Sequence, residues 1–179
     1  KLSVMRKHNA PRRGQSGVAA VELAILLLPM LLMVGMAVEY GRIMLNYNSM
    51  VKSVRLATRY LSQFEPRDPA NQLIASGVYA TAKLKAANMV VYGNASGGTL
   101  PIVPGLDTQV SNGTAQIVIC DIVSGCGSTL ITSSSTLLSQ PIDTVTVTVS
   151  GYQLPSLFPA LSQFLGRNFN NISMTMRQN

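Results

Sequence analysis

Few side chains in this sequence have the types and spacing that chemistry requires. His8 is the only histidine, and it lies in a basic segment at the N-terminus. Imidazole is the most common general base near neutral pH and a frequent metal ligand, so the rest of the chain lacks that group. No glycine-rich phosphate loop occurs. The later acids show no paired spacing suggestive of a site: Glu65, Asp68, Asp107, Asp121 and Asp143. The sequence therefore predicts a protein that is not an enzyme and uses no cofactor or metal.

Cys120 and Cys126 are the only two cysteines of the chain. In an oxidising compartment they would pair as a small disulfide loop. A reduced, buried pair is the alternative. Two thiols without a nearby histidine make a poor metal site.

Glu22 is the only charged residue in the apolar run of residues 18–38, VAAVELAILLLPMLLMVGMAV. The run matches the ~20 residues that a helix needs to cross a bilayer. A carboxylate inside such a helix costs about 2.5–3.5 kcal/mol on insertion scales, so it calls for a compensating partner. Cleavage after Gly17 would create one, a free ammonium on Val18. The alternative is a signal anchor whose single carboxyl near the cytoplasmic end snorkels or is protonated.

The positive charge of the chain is concentrated before the apolar run. The net charge is +7, but beyond Gly17 nine basic residues face seven acidic ones, a balance of +2. This small, scattered excess gives no nucleic-acid-binding signature. Basic residues on the N-terminal side place the N-terminus in the cytoplasm and the remainder outside. They are Lys1, Arg6, Lys7, Arg12 and Arg13. A cleaved secretory signal is the competing interpretation, but its core would be only ~7–15 residues and no A-x-A-like site follows.

Helical periodicity continues past the apolar run and predicts one helix over residues 18–64, ended by Glu65-Pro66. Asp68-Pro69 predicts the start of a second helix that ends at Gly93 and packs on the first. The expected apolar side of this second helix consists of Leu73, Ile74, Gly77, Val78, Thr81 and Leu84.

Alternation of apolar and polar residues predicts strands in the C-terminal half, most clearly in DTVTVTV at residues 143–149. Residues 116–123 and 172–176 predict two further strands, and residues 154–168 a loop or short helix. The expected fold class is α+β with a small antiparallel sheet. The domains are a basic cytoplasmic leader (1–17), a transmembrane helix with an amphipathic continuation (18–64) and a periplasmic head (65–179).

Three further residues of the first helix deserve a prediction. Pro29 removes one helical hydrogen bond and should bend the span, which could help a subunit leave the bilayer; a tolerated kink is the alternative. Glu39 and Arg42 are three residues apart, which predicts a surface ion pair of small energy.

The segment Gly17-Val18-Ala19-Ala20-Val21-Glu22 resembles the G-x-x-x-x-E processing site of type IV prepilins and pseudopilins. The resemblance implies that a membrane prepilin peptidase cuts after Gly17. It also implies that Glu22 pairs with the new N-terminus of a neighbouring subunit.

A longer pattern is similar to TadE-like proteins of the tight-adherence (Tad) system. It comprises RRGQSGVAAVELAILLLP, then Glu39-Tyr40-Gly41-Arg42, then VRLATRY at residues 54–60, and it covers the first 60 residues. Leu23 departs from the pattern, since an aromatic residue more often follows the glutamate.

The resemblance implies a minor pilin needed for assembly of a tight-adherence pilus, held in the bacterial inner membrane by one span and incorporated into the pilus. The implied partners are a sister pseudopilin, the major Flp-type pilin, the prepilin peptidase, the inner-membrane assembly platform and membrane lipid. Assembly would use Glu22, Pro29, Glu39 and Arg42. The alternative function is an uncleaved, membrane-anchored periplasmic binding module.

Overall fold

The computed structural model describes residues 15–66, 73, 77–125, 143–157 and 169–178, with the backbone alone at residues 15 and 16. Residues 1–14 of the leader, Asp68-Pro69, Cys126 and most of residues 154–168 therefore lie outside the described residues. The chain divides into two compact units, with the boundary between Val38 and Glu39.

The first unit contains the N-terminal part of helix α1, Gln15–Leu61. Every residue from 18 to 38 is exposed except Gly35, which is half-buried. α1 is long and apolar enough to cross a membrane, with a mean hydropathy of 2.4 over its most apolar stretch. The prediction of one N-terminal apolar helix is confirmed. α1 ends at Leu61 and not at residue 64, because the chain turns over residues 62–64 before Pro66.

The second unit is built on a three-stranded antiparallel sheet in the order β1-β2-β3. The strands are β1 Gln116–Cys120, β2 Thr144–Ser150 and β3 Ile172–Arg177. In β2 the valines are buried and alternate with threonines that are half-buried, apart from the buried Thr144 at its start. The predicted strands and the α+β class are confirmed. β1 stops at Cys120, three residues before the expected end, because residues 122–125 form a turn.

The core of the second unit lies between the sheet and the helices. Its buried members come from the second half of α1 (Met50, Val54, Ala57, Leu61), from helix α2, Val78–Tyr92, from β2 and from the segments between. A short helix α3, Leu106–Ser111, which the sequence did not predict, precedes β1.

The predicted start and apolar side of α2 are wrong. Gly77 has a φ of 77°, a backbone conformation that side chains disfavour, and Leu73 lies in an isolated β-bridge. The helix therefore begins at Val78. Its exposed residues include Val78 and Leu84, at 74% and 69% exposure. The buried side consists of Tyr79, Ala82, Ala86, Val90 and Val91.

Candidate functional site

The predicted processing site lies in the first turns of α1. Gly17 and Val18 are both exposed, and a Cβ added at Gly17 would meet nothing within 4 Å. No described residue covers the peptide bond between Gly17 and Val18. Nothing around it supports the fold, so changes at Gly17 leave the packing untouched.

Glu22 occupies the same face of α1 as its apolar neighbours Val18, Val21 and Ile25, at helical spacing. Within the described residues its carboxylate has no hydrogen bond or ion pair. A charge on an apolar, exposed helix face is costly in lipid. A partner for Glu22 on a neighbouring subunit stays a prediction. Pro29 lies further along the same helix, and α1 continues through it. A bend at Pro29 stays a prediction.

Glu39 and Arg42 form the predicted ion pair, with Arg42 Nη1 3.1 Å from Glu39 Oε2. The expected surface location is wrong for Glu39, which is only 3% exposed. Its second oxygen, Oε1, accepts a hydrogen bond of 3.2 Å from the backbone N–H of Leu157. The carboxylate thus fastens the 152–157 segment to the start of the second unit. Sequence reasoning missed this contact because Leu157 is 118 residues away.

Aromatic rings pack beside this ion pair. Phe169 stacks on Tyr47 and on Tyr152, with ring centroids 5.9 Å and 5.4 Å apart. The Tyr152 hydroxyl donates to the carbonyl of Pro104 at 2.9 Å. Burial raises the pKa of Tyr152 above its ordinary value, and the positive charge of Arg42 opposes that rise. Tyr152 is therefore a neutral structural donor.

A buried polar network around Asp121 joins α2 to the sheet. Asp121 directly follows β1 and is fully buried. Its Oδ2 accepts from the Tyr79 hydroxyl at 2.7 Å and lies 2.7 Å from Lys83 Nζ. Its Oδ1 accepts from the backbone N–H of Ser124 at 2.6 Å. Gln178, which follows β3, donates to the Tyr79 hydroxyl at 2.9 Å. The Asp121 carboxylate thereby binds α2 and the turn at Ser124 directly, and Tyr79 extends the network to Gln178 after β3.

The electrostatics of this network favour a structural role. Burial alone would raise the pKa of Asp121, but the hydrogen bonds from Lys83, Tyr79 and Ser124 outweigh it and hold that pKa below its ordinary value. Burial and then the Asp121 carboxylate raise the pKa of Tyr79. Asp121 is ionised, saturated with donors and unreachable from solvent, so it cannot serve as a general base. Sequence reasoning found no site among the later acids, and the one available signal was the short Asp121–Ser124 spacing of a side-chain-capped turn.

Cys120 is disulfide-bonded and lies next to Asp121. Its predicted partner, Cys126, is outside the described residues, so the Cys120–Cys126 loop stays a proposal. Among the described residues no group of histidine, cysteine and acidic side chains could hold a metal ion.

Comparison with known proteins identifies the N-terminal segment. A family model described as TadE: TadE-like protein matches residues 17–59, which is 43 of the 179 residues. No curated protein and no solved structure matches the chain. The matched stretch contains Gly17, Glu22, Pro29, Glu39 and Arg42. The predicted resemblance of the N-terminal segment to TadE-like proteins of the Tad pilus system is confirmed.

Proposed function

We propose that this TadE-like chain is a minor pilin (pseudopilin) that a prepilin peptidase processes after Gly17 and that then takes part in assembling a tight-adherence pilus. The observation that carries the proposal is Glu22, an unpaired carboxylate on the exposed apolar face of a TadE-like helix. The match to residues 17–59 starts at the very glycine that precedes the proposed cut.

Hydrolysis of the Gly17–Val18 bond consumes one water and yields a carboxylate on Gly17 and an amine on Val18, which is protonated near neutral pH. The leader leaves with its basic residues, and the new ammonium lies at the start of an apolar helix. A neighbouring subunit that is offset along the helix axis can place its Glu22 against this ammonium. Each charge then compensates the other in a medium where neither is tolerated alone.

Helix contacts would supply the remaining association energy. Within lipid the apolar effect does not drive helices together, so close packing and polar pairs decide which helices associate. The proposed topology places the N-terminus in the cytoplasm and the head in the periplasm, as the basic leader predicts. The proposed partners are a sister pseudopilin, the major Flp-type pilin, the prepilin peptidase and the inner-membrane assembly platform.

The mature N-terminus tests the processing step. The chain is expressed with an active peptidase and with a catalytically inactive one, and each product is analysed by N-terminal sequencing and intact mass. We expect a chain that begins at Val18 only with the active enzyme. Gly17→Leu should block the cut without disturbing the fold. Gly41→Leu is the matched control, because that helix glycine also has nothing within 4 Å of an added Cβ. A chain that keeps Arg12-Arg13 beside an active peptidase would instead be the uncleaved anchor of a periplasmic binding module.

The pairing step has its own test. Glu22→Gln should insert into the membrane normally and be cleaved, yet enter the assembled pilus poorly, because a neutral amide cannot compensate the ammonium of a neighbour. Glu65→Gln is the control, since Glu65 is an exposed acid outside the span. Normal piliation by the Glu22→Gln variant would show that the carboxylate has no pairing role.

A further inference from the structure

We propose that the second unit touches the membrane surface through an apolar rim made of Tyr40, Met44, Leu45 and Leu157. The occupant of this rim is the interfacial layer of the phospholipid bilayer on the side where the head lies. The inference rests on the proposed function in one respect, namely that residues 18–38 span the bilayer.

The rim consists of large apolar side chains that the head leaves uncovered. Tyr40 is 55% exposed, Met44 45%, Leu45 70% and Leu157 56%. None of these four residues is among the buried core residues of the unit. Three lie on α1 within two turns of Val38. Leu157 is held at the same level, because its backbone N–H is bonded to Glu39.

The stretch of α1 that carries the rim has few exposed charges. Glu39 is buried and uses its oxygens on Arg42 and on the Leu157 backbone. No other acidic or basic residue occurs between Arg42 and Lys52. Lys52 is the first exposed charge of α1 beyond Glu22, about 20 Å past Val38 at ~1.5 Å per residue. Between Glu39 and Lys52 the exposed residues of α1 are therefore uncharged, and the large ones are mainly apolar or aromatic.

Bilayer dimensions place Tyr40 and the backbone of Leu157, which is bonded to Glu39, at headgroup depth. Met44 and Leu45 lie about 9–11 Å past Val38 along α1, at the outer edge of the headgroup region. Residues 18–38 account for the ~30 Å hydrocarbon layer, and the headgroup region adds roughly 5–7 Å on each side. That distance corresponds to about one helical turn, which reaches Tyr40 and Arg42. Tyrosine is enriched at this depth because its ring is apolar and its hydroxyl is wet. Arg42 has a side chain that is 26% exposed, so its guanidinium can also meet lipid phosphate.

Lipid is the favoured occupant because Tyr40 follows the last residue of the proposed span by only two positions on the same helix. A protein partner would need polar groups to match the Arg42 side of the rim. A fluid interface accommodates both the apolar side chains and the guanidinium without a preformed shape.

Tryptophan reporters test the rim, since the chain contains no tryptophan of its own. Full-length variants Leu157→Trp and Tyr40→Trp are reconstituted in vesicles of phosphatidylethanolamine and phosphatidylglycerol. A fraction of the lipid carries bromine either near the headgroup or near the chain end. We expect the tryptophan emission of both variants to lie at shorter wavelength than that of a water-exposed tryptophan. Bromine near the headgroup should quench it more than bromine near the chain end.

Two controls separate this inference from the proposed function. Val78→Trp reports the far side of the unit, where Val78 is 74% exposed beside Tyr60 and Phe64, and it should not be quenched. Leu28→Trp lies at the middle of the span and should be quenched by deep bromine. If Leu28→Trp is quenched while Leu157→Trp and Tyr40→Trp behave like Val78→Trp, the rim does not touch lipid although the span stands. A Leu157→Trp emission that shifts to shorter wavelength as the protein density rises, and that bromine does not quench, would assign the rim to a protein partner and overturn the proposal. An unquenched Leu28→Trp would overturn the span, and the proposed function with it.

Discussion

Replacing Asp121 by asparagine should destabilise the second unit strongly, although the two side chains have nearly the same shape. The carboxylate accepts from Tyr79, Lys83 and the Ser124 backbone. An amide offers one oxygen and one NH2 group in the same place. If the oxygen keeps the Ser124 N–H, the NH2 group faces two donors and both of those bonds are lost.

The size of the effect follows from what each donor does next. A hydrogen bond to a charged group contributes about 1.5–3 kcal/mol, and stranding a buried donor costs a similar amount. The Tyr79 side chain is buried, so its hydroxyl proton has no other acceptor among the described residues unless the Gln178 amide turns. Lys83 has a side chain that is 23% exposed, so its ammonium regains water and loses less. We expect the free energy of unfolding to fall by about 3 kcal/mol and the Tm by about 10 °C for a unit of this size.

The assay is urea unfolding of the full chain in detergent micelles, followed by near-ultraviolet circular dichroism of the tyrosines. The pH dependence identifies the cause. Because the pKa of Asp121 is lower in the folded state, its contribution is present above its ordinary value of 3.8 and is lost as the pH falls through the folded value. The gap between wild type and Asp121→Asn should therefore be full at neutral pH and close in acid.

Asp107→Asn is the matched control, because it makes the same charge change at a half-buried acid in the first turn of α3. It should shift stability by about 0.5 kcal/mol at most, the usual range for residues outside buried networks. Equal losses in the two variants, or an Asp121→Asn deficit that persists undiminished in acid, would refute the assignment of stability to the ionised carboxylate.

Two further predictions concern packing, each measured as a free energy of unfolding by the same assay. Gly151→Ala should cost more than Gly113→Ala: both glycines have positive φ, worth about 1–3 kcal/mol in strain, but only at Gly151 would the new Cβ lie 2.5 Å from a backbone oxygen, that of Thr114. Equal costs would mean that this close approach relaxes freely. Ala86→Leu should cost about 1–3 kcal/mol through overpacking, whereas Leu84→Ser should stay within about 0.5 kcal/mol, and the reverse order would show that α2 packs by the side that the sequence predicted.

The elements that the sequence predicted well are those whose signal is local and strong. The apolar run before Val38 and the valine–threonine alternation of β2 each repeat one period over many residues, so no other structure competes. The motif at Gly17 is also local, since its residues are adjacent in the chain, but its processing stays a prediction.

The sequence did not predict which side of α2 packs against the core, and the reason is physical. Hydrophobicity favours Leu84, but the space beside the core admits alanines such as Ala82 and Ala86, and small side chains carry little hydropathic signal. Tyr79 is buried because its hydroxyl finds Asp121, which is 42 residues away. A pattern along one helix contains no information about a partner so far off.

The prediction of a surface location for Glu39 was wrong for a related reason. A glutamate three residues before an arginine is usually a solvated surface pair, and this one becomes buried only because the Leu157 segment folds over it. Long-range backbone donors leave no trace at the acceptor's position in the sequence. The same limit hid the convergence of Tyr79, Lys83 and Ser124 on the Asp121 carboxylate.

The second half of α1 has a consequence for any soluble version of this protein. Four of the sixteen buried core residues described, Met50, Val54, Ala57 and Leu61, belong to the helix that begins in the apolar run. A fragment cut after that helix would lose one wall of its interior and should collapse or aggregate. A fragment that begins at Glu39 keeps these four core residues and lacks only the apolar run. One continuous helix, α1, therefore supplies both the apolar run and a quarter of the described core of the second unit.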